Sequence, residues 1–510
     1  MKSKKRRDHR KQKKKAPVNL HLVKGAISSR RYRKVLTLYL LNHCHSYDWS
    51  KPLLQYVREG NWPSLYAWTE HATTEVHGNA AEHFAAAQMT ALVKKYPLSW
   101  REFGFKTDPE TAAMEKFAAS EKKCKLVNRR FKTLGRRFTL YREKLEYMRN
   151  WIAFVIGSEP DLKDIYSKCG FSGGASMGVH GNATNLYRKL FSESWSVSPC
   201  AQPYALHALW SHDPVLLSFM EQRDGMVCFD FDHARQEMQQ KCEQVFHNLV
   251  SFVPKTAKTH RSIAVEPLLN SYIQKGTDLC LREKLRMHGY DLSDQAKNAN
   301  LARLGSIDGS YATIDLSSAS DTVSYGLTKW ILPPAWFDFL NRIRSSNYKQ
   351  GNTVTPYEKF VSMGNGFCFP LETLIFAAAT RASIYFSRSV CKEHAVYGDD
   401  IVVPTHACKD LSKLLNYCGF SVNQEKSFTS GPFRESCGAD WYLGQDVRPV
   451  YLDYLLSDDI RLMVFHNATY RGQATEDAFD AIRPAIRDWV PYHERMCRPR
   501  SAQPPYDSHQ

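Results

Sequence analysis

Residues 394–403 read His-Ala-Val-Tyr-Gly-Asp-Asp-Ile-Val-Val, so that two apolar runs flank Gly398, Asp399 and Asp400. A Gly-Asp pair between two such runs predicts a β-hairpin that carries both carboxylates at its tip. Adjacent ionised carboxylates repel each other, and a fold keeps such a pair at an apolar tip mainly when a cation lies between them. An ordinary solvated turn is an equally good interpretation of this stretch alone, because Asp and Gly are common turn residues.

The composition favours a polyanionic partner. The 510 residues carry a net charge of +17, and residues 1–15, with ten Lys or Arg and one Asp, supply +9 and leave +8 for the rest. A chain with this excess attracts nucleic acid. We expect residues 1–16 to be a disordered basic tail that either binds RNA non-specifically or only keeps the chain soluble. We expect residues 501–510 to be a second disordered tail.

Secreted and membrane-spanning proteins are disfavoured. The N-terminus lacks the apolar segment of a secretory signal, and the chain has no run of 18 apolar residues that would predict a membrane span. The thirteen cysteines are scattered and odd in number, without a Cys-x-x-Cys pair. This pattern favours free thiols in a reducing compartment over a disulfide framework or a zinc site.

Two basic segments are candidates for binding phosphates. The first follows a helix that Asp108 and Pro109 are predicted to open, and it suits either a nucleic-acid channel or a solvated helix face. Its cations, with Phe131 and Phe138 interleaved, are Lys122, Lys123, Lys125, Arg129, Arg130, Lys132, Arg136 and Arg137. In the second, Lys255, Lys258 and Arg261 precede an alternating strand at 262–266. Three such cations can line a passage for a triphosphate, or they belong to a basic surface strand.

A third carboxylate is predicted at the end of another strand. Residues 311–315 read Tyr-Ala-Thr-Ile-Asp, small residues follow, and Asp321 then either caps the next helix or contributes to a site. Farther on, Gly364-Asn365-Gly366 is predicted to be a turn that leads into a long apolar helix. That helix contains Glu372, which needs a partner if it is buried.

Asp315, Asp399 and Asp400 together suit two Mg²⁺ ions, which lie about 3.5–4 Å apart in sites that transfer phosphoryl groups. Mg²⁺ prefers a few carboxylates, with water and substrate phosphates as its other ligands. Asp315 and Asp399 are 84 residues apart, so the hypothesis requires that neighbouring antiparallel strands bring them together.

The ordered motifs resemble those of viral RNA-dependent RNA polymerases. More specifically, the chain is similar to the replicase beta subunits of single-stranded RNA bacteriophages, the Q-beta-like group, and the close match covers about residues 250–445. The runs that carry the resemblance are Val253-Pro254-Lys255 through Glu266-Pro267, Asp315-Leu316-Ser317 through Ser320-Asp321, Ser362-Met363-Gly364-Asn365-Gly366, Tyr397-Gly398-Asp399-Asp400, and Gly431-Pro432-Phe433-Arg434-Glu435-Ser436-Cys437-Gly438.

The resemblance implies an α+β fold of the right-hand polymerase type. Residues 17–267 would form an N-terminal helical region and the fingers, residues 268–445 the palm with its antiparallel sheet, and residues 446–500 the thumb. The implied activity is RNA-directed RNA polymerase, which copies RNA without a primer. A reverse transcriptase, in which a bulkier residue usually replaces Gly398, and a non-catalytic RNA-binding or packaging protein remain the alternatives.

The resemblance also implies roles for individual residues. Asp315, Asp399 and Asp400 match metal ligands for two Mg²⁺ ions, with Mn²⁺ as the other option. The triphosphate channel corresponds to Lys255, Lys258 and Arg261, and ribose recognition to Asp321 and Asn365. Lys426 falls where a general acid for pyrophosphate is proposed, with a solvated lysine as the alternative.

The partners implied are RNA template and product, NTPs, the host elongation factors Tu and Ts, and a small-subunit ribosomal protein. The resemblance implies no membrane, and it implies that the protein works in the cytoplasm of the bacterial host.

Overall fold

The computed structural model describes residues 20–72, 78–133, 141–179, 186–211, 221–223, 226–228 and 231–490. The predicted tails at 1–16 and 501–510 lie outside these ranges, as do Arg136, Arg137 and Phe138 of the first basic segment. Helices alternate with mostly antiparallel sheets along the chain, which confirms the predicted α+β class.

The described residues divide into two compact units, one within residues 1–75, 84–104 and 449–510 and the other within 76–83 and 105–448. The division into two units does not test the boundaries of the predicted fingers, palm and thumb, and these boundaries stay predictions. The first unit is helical, and its helices are Leu20–Asn42, Ser50–Glu59, Trp62–His71, most of Ala80–Lys94, Asp459–Ala468, Gln473–Phe479 and Arg483–Trp489.

The second unit combines helices with six small sheets. Asp108 caps its first helix by accepting the Thr111 N–H at 3.0 Å, as predicted. The α-helices are Pro109–Thr133, Arg142–Ile156, Leu162–Ser167, Leu186–Leu190, Gln202–Trp210, Phe231–Gln240, Leu268–Met287, Ala296–Asp308, Tyr325–Ile331, Pro334–Ile343, Cys368–Phe386 and Thr405–Cys418, and Ser320–Thr322 form a 3₁₀ turn.

A three-stranded antiparallel sheet, called here the central sheet, positions the acidic residues. Its strands are Ala395–Tyr397, Asp400–Pro404 and Tyr311–Ile314, with Asp400–Pro404 in the middle. The first two strands form the predicted hairpin. Ile401, Val402 and Val403 are fully buried, because helices cover the apolar residues on both faces of this middle strand.

A four-stranded sheet carries the second basic segment. Its strands, in spatial order, are Thr353–Pro356, Asn347–Gln350, Asn248–Pro254 and His260–Val265. The last of these confirms the predicted alternating strand, which begins two residues earlier than expected. The remaining strands pair as Trp195–Val197 with Cys242–Gln244, Glu221–Arg223 with Met226–Cys228, Leu316–Ser317 with Ser421–Val422, and Phe433–Ser436 with Ala439–Tyr442 and Gln445–Asp446.

Across the described ranges, none of the helices combines the length and the apolar character needed to span a bilayer. Eleven of the cysteines within those ranges are free thiols.

Candidate active site

The hairpin tip requires glycine at residue 398. Tyr397 pairs with Asp400, so Gly398 and Asp399 form a two-residue turn, and Gly398 has a φ of +59°. Glycine at the first turn position with positive φ is typical of a type II′ hairpin. A Cβ atom at residue 398 would lie 2.3 Å from a ring carbon of Phe369, and the Gly398 N–H donates to the Thr373 hydroxyl at 3.0 Å. The tip is therefore fixed against the helix Cys368–Phe386.

The register of the central sheet brings Asp315 to this tip. Ile314 lies opposite Ile401, so Asp315 is one step beyond its strand at the end where Asp400 begins the neighbouring strand. Residues opposite each other in antiparallel strands have Cα atoms about 4.5–5.5 Å apart. The structure thus brings together the three carboxylates that the sequence singled out.

Side chains that the sequence interpretation missed hold Asp315. The Asn423 side-chain amide donates to the Asp315 carboxylate at 2.8 Å, and the Asn423 N–H donates to the Asp315 carbonyl at 2.9 Å. The Asp315 N–H donates to the Ser427 hydroxyl at 3.1 Å. The segment 423–427 therefore fixes Asp315 from the side opposite the hairpin.

The carboxylates at the tip are partly exposed but poorly solvated. Burial raises the pKa of Asp400 to about 7, and the charges of Asp399, Glu435 and Asp315 add to the effect, while the Cys437 N–H opposes it. The pKa of Asp399 is also raised, first by burial and then by the charge of Asp315. The cluster therefore carries a concentrated negative charge that a cation would stabilise.

The donor set fits a hard divalent cation. Asp315, Asp399 and Asp400 offer only carboxylate oxygens, the ligands that Mg²⁺ and Mn²⁺ prefer. Within the described part of the chain, no group of three or more His, Cys, Asp or Glu side chains is already arranged to hold a metal ion. An ion bound here would therefore take further ligands from water and substrate phosphates, as Mg²⁺ commonly does.

Lys426 faces the acidic cluster from an exposed position. The charge of Glu435 is the largest influence on the Lys426 ammonium and raises its pKa, and Asp315, Asp400 and Asp399 raise it further. Its environment thus differs from that of a lysine solvated on all sides. Glu435 itself lies opposite Asp440 in the hairpin Phe433–Tyr442. The pKa of Asp440 is raised to about 8, mainly by burial and to a lesser extent by the charge of Glu435.

The second basic segment lies near the same carboxylates. Lys255 follows the strand Asn248–Pro254 and is exposed as a whole residue, but its ammonium is poorly solvated, which lowers its pKa to about 8. The charges of Arg261, Lys116 and Lys426 lower it further, whereas Asp315 opposes them. Lys258 is exposed in the turn between the two strands. Lys255, Arg261 and Lys426 therefore form a cationic group near the acids, and the space that the cations and the acids border is called here the cleft.

The prediction that Asp321 caps the next helix is wrong. Asp321 lies in the 3₁₀ turn, and Ser324 caps the helix Tyr325–Ile331 by accepting the Leu327 N–H at 3.3 Å. The Asp321 carboxylate instead accepts from the Lys359 ammonium at 2.6 Å and from the Ser262 hydroxyl at 3.1 Å. Of the two alternatives for Asp321, the cap of the next helix is thus excluded, and the carboxylate takes part in tertiary contacts.

Asn365 and Glu372 are both buried beside the cleft. The Asn365 N–H donates to the Ser362 carbonyl at 3.0 Å, whereas its side-chain oxygen has no hydrogen-bond partner among the described residues. Glu372 has the partner that its burial required, because the Cys368 thiol lies 2.9 Å from its carboxylate. The pKa of Glu372 is raised to about 8, mainly by burial and to a lesser extent by the charge of Asp399.

Several residues of the site had no distinguishing sequence signal. Asn423, Ser427 and Lys359 lie in short segments without periodicity. Glu435 falls within a run that carries the family resemblance, but nothing local marks its charge as part of the site.

Comparisons with known proteins agree on one family. The family model described as "RNA replicase, beta-chain" matches residues 67–498. The chain is 35% identical over 386 residues to the RNA-directed RNA polymerase subunit beta of Escherichia virus Qbeta, and the alignment covers 74% of this chain and 61% of that protein. It is 39% identical over 305 residues to the RNA-directed RNA polymerase beta chain of Escherichia phage MS2, and this alignment covers 59% of this chain and 53% of that protein. The chain therefore matches less than two thirds of the length of these relatives.

Similarity to solved structures is weaker. The RNA-dependent RNA polymerase of a human picorbirnavirus is 11% identical, with a TM-score of 0.36, over 69% of this chain and 82% of that one. A score of this size does not establish a shared fold.

Proposed function

The chain belongs to the RNA replicase beta-chain family, and from this premise we propose that it is the catalytic subunit of an RNA-directed RNA polymerase that copies a phage RNA genome without a primer. The observation that carries the proposal is the register of the central sheet, which brings Asp315 to the hairpin tip that holds Asp399 and Asp400. Three carboxylates at one sheet end, facing exposed cations, suit transfer of a nucleotide from a triphosphate.

The cationic side of the cleft would bind the triphosphate. The charge of Arg261 lowers the pKa of Lys255, and Lys255 is also close enough to Asp315 for the two charges to interact. Cations in this position neutralise the phosphates and orient them towards the carboxylates. Lys258, in the turn between the two strands, would extend the same surface.

The acidic side would hold two divalent cations, Mg²⁺ with Mn²⁺ as the alternative. When bound, they would supply activation of the RNA 3′-hydroxyl and charge stabilisation for the departing pyrophosphate. Asn423 and Ser427 would keep Asp315 oriented for them. The raised pKa of Lys426 keeps its ammonium protonated at neutral pH, so it can donate a proton to the leaving pyrophosphate.

Ribose recognition is proposed for Asp321 and Asn365. The Asp321 carboxylate is fixed by two hydrogen bonds, and the side-chain oxygen of Asn365 has none among the described residues. Both groups can accept a hydrogen bond from a 2′-hydroxyl, which a deoxynucleotide lacks.

The family resemblance extends the proposal to partners and location. We propose RNA template and product as partners, with host elongation factors Tu and Ts and a small-subunit ribosomal protein as companion subunits. The cytoplasm of the bacterial host is the proposed site of action.

The test is incorporation of labelled nucleotides on an RNA template, with and without host extract. Wild type should incorporate NTPs, and Asp399→Asn should lose several orders of magnitude in rate while still binding RNA. Asp338→Asn is the matched control, because Asp338 is exposed and pairs only with Arg342 among the described residues. Preferred incorporation of dNTPs would indicate a reverse transcriptase. Unchanged function in Asp399→Asn would indicate a non-catalytic RNA-binding protein.

A further inference from the structure

We propose that Lys359 is a positioning residue for sugar selection: it holds the Asp321 carboxylate in the orientation that accepts the 2′-hydroxyl of an incoming ribonucleotide. This inference rests on the proposed polymerase function and adds to it a residue that lies outside the motifs quoted from the sequence. It depends on the contacts of Lys359 in the larger of the two units.

The ion pair between Lys359 and Asp321 is asymmetric in its exposure. The Lys359 side chain is 1% exposed and the Asp321 side chain 17%, and their charged atoms are 2.6 Å apart. The acid therefore reaches the cleft, whereas the lysine does not. Lys359 therefore influences a bound nucleotide through the Asp321 carboxylate, its ion-pair partner.

Lys359 itself is held rigidly. Its ammonium lies 4.2 Å from the ring centre of Phe117 and 5.3 Å from that of Tyr357. The backbone of Lys359 forms a β-bridge with Ser324, three residues after Asp321. Both ends of the lysine are thus fixed, so the ammonium determines where the Asp321 carboxylate lies.

The second oxygen of Asp321 is fixed as well. The Ser262 hydroxyl donates to it at 3.1 Å, and Ser262 belongs to the strand His260–Val265 that also carries Arg261. The proposed sugar contact and the proposed triphosphate contact are therefore joined through one strand. A carboxylate oxygen has more than one lone pair, so Asp321 can accept these bonds and still accept a 2′-hydroxyl.

Lys359 also borders the other proposed ribose contact. Lys359 and Asn365 line the same small polar cavity, with Ser362 and Tyr357. The Asn365 side chain is 6% exposed, and its oxygen is one of the buried polar atoms left without a hydrogen bond among the described residues. An unpartnered buried acceptor that lines a cavity with Lys359 suits a ligand that carries a hydroxyl group.

A lysine suits this role because its ammonium binds one carboxylate oxygen of Asp321 and limits how that carboxylate can turn. Without Lys359, the carboxylate would keep the bond from the Ser262 hydroxyl and could turn about it. A site built to bind a hydroxyl rejects an analogue that lacks it, since its polar groups then stay unpaired. Loss of Lys359 should therefore weaken discrimination against dNTPs more than it slows catalysis.

The experiment compares kcat and KM for NTP and dNTP incorporation in wild type, Asp321→Asn, Lys359→Met and the double variant. We expect each single variant to lower the NTP-over-dNTP ratio of kcat/KM by roughly 10–100-fold, mainly through KM for the NTP. The double variant should match Asp321→Asn, because Lys359 acts only through Asp321. Lys359→Arg should recover part of the ratio.

Lys189→Met is the matched control, since Lys189 is another buried lysine, 1% exposed, whose ammonium donates to the Ser172 and Gly174 carbonyls. This control should lose thermal stability without a change in the ratio. If Lys359→Met does not fold, the double variant, in which no Asp321 carboxylate is left without its ion-pair partner, is compared with Asp321→Asn instead.

A folded Lys359→Met that keeps the wild-type ratio would overturn the inference, and so would a double variant whose ratio falls well below that of Asp321→Asn. Failure of wild type to incorporate NTPs would overturn the proposed function itself. The two failures are thus distinguishable.

Discussion

Ile314 lies directly opposite Ile401 in the central sheet, and this single register places the end of one strand beside the start of the other. A shift by one residue would turn the side chains of a strand to the opposite face of the sheet and remove Asp315 from the hairpin tip. The candidate site therefore depends on packing of buried apolar residues, and several of its features can be tested through stability as well as activity.

Gly398→Ala should destabilise the protein and abolish nucleotide incorporation. The new methyl group would meet the Phe369 ring at 2.3 Å in a backbone conformation that side chains disfavour, at a combined cost of about 2–5 kcal/mol. Chemical denaturation gives the free energy of unfolding. Gly309→Ala is the control, because its φ of +70° imposes the same kind of strain with open space around the added atom. Equal losses in the two variants would contradict the role assigned to Phe369.

Glu372→Gln should stabilise the protein at alkaline pH. Burial raises the pKa of Glu372 to about 8, above its ordinary value, so the folded state binds this proton more tightly than the unfolded chain. The contribution to stability is complete below about pH 4 and is lost as the pH rises through 8. The variant should gain on the order of a few kcal/mol at pH 9 relative to pH 5, as measured by denaturation in chelating buffer. The idea fails if the two proteins show the same pH dependence.

Arg434→Met should cost about 3 kcal/mol of stability, although Arg434 has no ion-pair partner in the described part of the chain. Its guanidinium is fully buried and donates to the Tyr311 carbonyl at 2.7 Å, to the Gly431 carbonyl at 2.9 Å and to further carbonyls. Removing it leaves these acceptors unpaired. Arg342→Met, at an exposed pair, should change the unfolding free energy by less than about 0.5 kcal/mol. Similar losses for both would show that burial of Arg434 is unimportant.

Lys426→Leu should slow single-turnover incorporation by about 10²–10³-fold with little change in RNA binding, because a general acid is lost from the pyrophosphate. Lys413→Leu, an exposed lysine on the helix Thr405–Cys418, is the control and should behave as wild type. Since the acids raise the pKa of Lys426, the wild-type rate should fall only at strongly alkaline pH. A wild-type rate in Lys426→Leu would contradict the general-acid role and favour the interpretation of Lys426 as a solvated lysine.

Local patterns predicted much of the fold, because they depend on neighbours along the chain. The Gly-Asp turn, the helix that Asp108 caps and the alternating strand before Glu266 all follow from a few consecutive residues. Asp321 shows the limit of such rules. Ser324 caps the helix, and the Asp321 carboxylate instead pairs with Lys359, 38 residues later in the sequence.

The amino-acid sequence by itself determined that Asp315 ends one strand and that Asp399 and Asp400 lie at a hairpin turn, because the apolar runs end at Asp315 and turn at Gly398. The register that brings the three carboxylates together is tertiary. Only the tertiary structure decided what surrounds them. Asn423 and Glu435 approach the acids from separate segments, and Lys359 contacts Asp321 from a third. No periodic pattern in the sequence marks side-chain contacts between distant segments. Their placement follows from how the buried faces of helices and sheets pack, which is a property of the whole unit rather than of any stretch within it.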